Sequence, residues 1–157
     1  MTDTRIPTEH RPRVWLEDGL CRIEFSAGVT INREMVEYVF RRRLLLMQQA
    51  GERHKLLVTT AGRVAGMDYD ASRLSVSLRI SETVAACAVV TASPAMRMIV
   101  APFVLMYRPK YPIRLFPDEA TARGWLATIP GAAVPPARTT PESIHGQTES
   151  LVDEDRT

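Results

Sequence analysis

Apolar and polar positions first alternate along this chain and then gather into short apolar runs separated by stretches of helical period. Arg13-Val-Trp-Leu-Glu and Leu20-Cys-Arg-Ile-Glu-Phe read as two strands, and Asp18-Gly19 between them is a two-residue hairpin turn. Val36, Phe40, Leu44 and Met47 recur at helical spacing and predict a helix over 33–50. Asn32 caps it, Glu34 and Glu37 suit the positive end of its dipole, and Gly51 ends it. Lys55-Leu-Leu-Val-Thr-Thr and Ala85-Ala-Cys-Ala-Val-Val-Thr are apolar runs of buried-strand type. Ser93-Pro94 is an N-cap followed by proline at the first helical position. Pro102 lacks a backbone donor, so that helix is expected to kink or restart near 98–102. Ile113-Arg-Leu-Phe is the last strand. Residues 118–129 form the last helix, with Ala122, Trp125, Leu126 and Ile129 on one face and Pro130-Gly131 as its stop.

One segment reads two ways. Leu74, Val76, Leu78 and Ile80 alternate with polar residues as in a strand. As a helix, Ala71, Leu74 and Leu78 share an inward face and Val76 and Ile80 form an apolar pair pointing out. Asp68-Tyr-Asp-Ala looks like a helix start, and the helix is the reading adopted. The order is then β-β-α-β-α-β-α-β-α, an α/β sandwich with a mostly parallel sheet.

The ends differ from the middle. Residues 1–11 are polar and proline-punctuated and are expected to be flexible. Residues 131–157 hold no aromatics and are rich in Ser, Thr, Asp and Glu, so they are expected to be a disordered tail. That leaves one domain over 12–130. A net charge of +2 is too small to imply nucleic acid, and Arg41-Arg42-Arg43, lying inside a helical pattern, reads as a solvated face. Cys21 and Cys87 sit in apolar strands and read as core thiols rather than a disulfide. With no signal-peptide pattern and no apolar run of membrane-spanning length, the expectation is a soluble cytoplasmic protein.

Ser93-Pro94-Ala95-Met96-Arg97 resembles the later helix start of STAS domains of the anti-sigma-factor-antagonist, SpoIIAA-like type. Met67-Asp68 falls where that family's earlier helix begins. Pro112-Ile-Arg-Leu-Phe116 and Asp118-Glu-Ala, leading to Trp125-Leu126, resemble the ending of one bacterial branch of the family. The resemblance covers roughly residues 12–130. It implies a non-catalytic regulatory module that contacts a protein partner, or a second copy of itself, through the helix near Asp68. Asp68, Tyr69, Asp70, Ser72, Arg73, Val76 and Ile80 are the contact residues expected on that basis. The best-known members are phosphorylated on a serine at this helix start. Here one register places Tyr69 at the acceptor position and the other places Ala71 there, so the expected function omits that switch.

Chemistry is sparse in the sequence. His10, His54 and His145 are far apart, and no Cys or His pair has metal-ligand spacing. Gly62-Arg-Val-Ala-Gly66 follows a strand and invites a phosphate-loop reading, but a plain strand-to-helix loop accounts for it. Asp68 and Asp70 could form an acid–base pair, and are more simply helix-start acids. Met96, Met98, Met106, Phe103 and Tyr107 make an adaptable apolar stripe that reads first as core packing. The alternative to the interaction module is a small-molecule or lipid carrier or sensor, its pocket near 94–111 and bounded by Met96, Phe103 and Tyr107. Neither reading needs a cofactor, and neither is an enzyme.

Overall fold

A computed structural model of the chain describes residues 6–50, 52–130 and 132–133. A turn of 3-10 helix at Thr8–His10 leads into β1 (Arg13–Glu17) and β2 (Leu20–Phe25). These pair antiparallel, with both turn residues at positive φ (Asp18 50°, Gly19 75°) as the predicted hairpin requires. β3 (Thr30–Ile31) precedes α1 (Arg33–Ala50), and β4 (Glu52–Thr60) follows it. Asn32 Oδ1 accepts the Met35 N–H at 2.9 Å, the cap its position implied.

The remaining elements are β5 (Gly66–Met67), α2 (Tyr69–Ser75), α3 (Leu78–Ser81), β6 (Val84–Val90), α4 (Pro94–Tyr107), β7 (Ile113–Phe116), α5 (Glu119–Thr128) and β8 (Ala132–Ala133). The main sheet runs β1-β2-β4-β6-β7, and every pair beyond the hairpin is parallel. β8 joins antiparallel at the start of β4, and β3 and β5 form a small parallel pair that the sequence pattern did not reveal. Of the expected tail, Ala132–Ala133 is thus paired, and the rest lies outside the described residues.

Alternation along the strands separates two cores. Cys21, Leu56 and Cys87 stand in one row across β2, β4 and β6, facing α1 and α2. Both cysteines are buried and free. Leu57, Ala86 and Ala88 face the other way, onto Ala122 and Leu126 of α5, with Trp125 and Ile129 packed around them. Asp118 caps α5 by accepting the Thr121 N–H at 2.8 Å. Salt bridges from Arg22 to Glu17 and Glu119, and from Arg123 to the same two carboxylates, tie the hairpin to α5.

Two expectations change. Segment 69–81 is helical, but the chain leaves the helix at Val76 (φ −102°, ψ 5°) and restarts at Leu78. The break turns Ile80 inward to 5% exposure, and Val76 is half-buried, so the outward apolar pair does not exist. Carbonyls freed at the break are capped locally: Tyr111 Oη donates to Ser75 O at 3.2 Å and Ser81 Oγ to Val76 O at 3.4 Å. The backbone of α4 continues through Pro102 without restarting. Met98 and Pro102 both lie on its exposed face, so water can reach the Met98 carbonyl that proline leaves without a donor.

Candidate functional site

α1 presents Val36, Val39, Phe40 and Arg43 inward, a stripe of helical period, and α2–α3 add Ala71, Val76 and Ile80. Between these helices, α4 and the sheet lies an apolar cavity of about 210 Å³. Its walls include Ile23, Leu56 and Val58 from the sheet, Ser72 from α2, Met96 and Val100 from α4, and Tyr111. Arg43 stands in that wall at 3% exposure.

Arg43 corrects the reading of the arginine run. Arg41 and Arg42 are exposed, but Arg43 lies three residues after Phe40 and seven after Val36, on the inward stripe. The periodicity held that signal; charge type masked it. Its Nη2 donates to Thr83 O at 3.0 Å and to Thr83 Oγ1 at 3.1 Å, tying α1 to the entry of β6. Its Nε is buried without a hydrogen-bond partner. Burial pushes the neighbouring Cys21 thiol up to about 11 and the Cys87 thiol up to about 12, each only partly offset by Arg43. Burial also raises the Tyr111 phenol. His54, buried on β4 with neither ring nitrogen bonded, is lowered to about 4 by burial and then by Arg43.

A second feature is external. The outer side of α4 exposes Met98 (77%), Leu105 (76%) and Met106 (70%), and Arg97 is the one charged residue of the helix. Tyr69, at the first position of α2, is 65% exposed; it hydrogen-bonds Tyr107, and the Arg73 guanidinium lies 5.7 Å from its ring centre. The start of α2 therefore meets the end of α4.

A third lies at the carboxyl ends of the parallel strands. It is a more polar cleft of about 570 Å³ with Thr60, Arg63, Thr91 and Ser93 on its walls. The glycine-bounded loop beside it is not built as a phosphate cradle. Ala61 and Ala65 donate to Phe25 O and Val29 O, and a Cβ on Gly62 would come within 2.8 Å of Ala27 Cβ.

The residues singled out by sequence divide accordingly. Asp68 is the cap of α2, accepting the Ala71 N–H at 2.7 Å. Tyr69, Asp70 and Arg73 are exposed beside it, whereas Ser72, Val76 and Ile80 line the cavity. Met96 lines the cavity too, Tyr107 is half-buried and bonded to Tyr69, and the Phe103 side chain lies outside the described residues. Among the described residues no group of three His, Cys, Asp or Glu could hold a metal ion, and no helix is long and apolar enough to cross a membrane.

A domain family of unknown function, DUF7793, matches residues 14–130. The chain belongs to that family. Among solved structures it is similar to an uncharacterised protein of the DUF3478 family from Shewanella loihica PV-4, described as having a SpoIIAA-like fold. The two share 18% identity over 73% of this chain and 91% of the other, with a TM-score of 0.49. No curated protein matches the sequence.

Proposed function

We propose that this protein is a non-catalytic regulatory module that docks a protein partner, or a second copy of itself, on the surface made by the start of α2 and the outer side of α4. The observation that carries this reading is the exposure of Met98, Leu105 and Met106 on a helix with a single charge. A helix apolar all round is normally covered, and large exposed apolar patches mark interaction sites. Tyr69 and Arg73 add an aromatic and a guanidinium, residue types enriched at interfaces, with Asp68 and Asp70 on the rim. Ser72, Val76 and Ile80, facing inward, act by shaping the support of this surface rather than by touching a partner. The phospho-serine switch has no place in the proposal, because Ala71 is fully buried and Ser72 faces the cavity. The test is Met98→Glu combined with Leu105→Lys, which should leave the fold intact and abolish association; a variant that still associates moves the interface elsewhere.

The cavity favours a second reading, in which the domain holds a small molecule and acts as a sensor or carrier. An apolar void of this size beneath a surface helix lets occupancy and docking influence each other. Filling it with Val100→Phe should abolish uptake of small apolar compounds, measured by amide shifts on titration.

A further inference from the structure

We propose that the cavity binds a small amphiphilic anion, an apolar body bearing one carboxylate, whose head pairs with Arg43. The inference rests on the second reading above, that the cavity holds a small molecule, and not on the docking surface. A guanidinium does not lose its proton in a protein, and burying it is costly unless a negative group accompanies it. Arg43 is 3% exposed, yet among the described residues no carboxylate faces it. Its neighbours are Cys21, Cys87, Tyr111 and His54, all neutral near pH 7 given the directions in which burial moves them.

A purely structural role explains only part of this arrangement. The tie to Thr83 uses Nη2, and the Cys21 sulfur is a weak acceptor, while Nε has no partner at all. The rest of the site sets the body of the ligand. Arg43 lies by the amino ends of the parallel strands, and the cavity continues past Leu56 and Val58 to Phe25 and Met96 at their carboxyl ends. Its walls are overwhelmingly apolar, and Ser75 Oγ is already committed to Ala71 O. An engineered apolar cavity of about 150 Å³ admits benzene, so 210 Å³ suits a single ring or a short acyl chain.

Octanoate and 1-octanol, matched in chain length, separate head from body. Each is titrated into the full-length protein at neutral pH and followed by amide shifts. Octanoate should bind roughly tenfold more tightly or better, the usual scale for a charge-assisted bond. Arg43→Gln should bring octanoate down to the level of octanol, Arg43→Lys should restore part of the difference, and Val100→Phe should remove both ligands. Equal affinities in the unmodified protein would overturn the pairing with Arg43 and leave the cavity reading standing. Binding of neither compound would overturn both, as would octanoate binding undiminished by Val100→Phe. If Arg43→Gln fails to fold, the acid-to-alcohol ratio of the unmodified protein decides the matter alone.

Discussion

Single residues set the helix boundaries, and their contributions differ with geometry. Asp68 accepts the Ala71 N–H at 2.7 Å, whereas Ser93 accepts the Met96 N–H at 3.4 Å. Asp68→Ala should therefore destabilise by about 1 kcal/mol and Ser93→Ala by about 0.5 kcal/mol, the middle and low end for an N-cap. Urea unfolding of the two variants checks the ranking. His54 supplies a pH dependence. Its folded value of about 4 lies below the ordinary histidine value, so the unfolded chain binds the extra proton first. Stability should be full above about pH 6.5 and should decline as pH falls toward 4. His54→Phe should flatten the melting temperature between these limits; an unchanged slope would mean the ring is solvated. Both caps were legible in the sequence as residue types at helix starts. The burial of Arg43 and His54 was not, because a charged or titratable residue is read as exposed until packing is known.

Elements were legible wherever two independent signals agreed. The hairpin had alternation and an Asp-Gly turn; α5 had an apolar face and a Pro-Gly stop. That face holds the second core together: Leu126 and Ala122 are fully buried against Leu57 and Ala88. Leu126→Ala should cost about 3 kcal/mol, within the usual range for a core leucine, and thermal unfolding measures it. Where signals conflicted, the pattern failed in detail. Residues 69–81 had a helix start at Asp68 and the alternation of a strand, and the chain uses two short helices with a break at Val76. The alternation reflects that break, which brings Val76 and Ile80 into one cavity. β3 and β5, two residues each, are too short for any periodicity to announce.

At the scale of the molecule, the sheet divides the work. One face, sealed by α5 and bound to the hairpin by the Arg22 and Arg123 salt bridges, is a filled core. The other carries α4, apolar inside and out, over a cavity that contains a buried guanidinium. The sequence located the apolar stripe of 94–107 but not its division into an inner wall and an outer surface, which depends on how α4 sits over the sheet. The central claim is that the outer surface, extended by Tyr69 and Arg73, docks a protein. Native mass spectrometry of the protein purified from its own cells, beside Met98→Glu/Leu105→Lys, tests it most directly. The unmodified chain should appear as a complex, with itself or with a second protein, and the double variant as a folded monomer. A monomer in both, or the same complex in both, would contradict the claim.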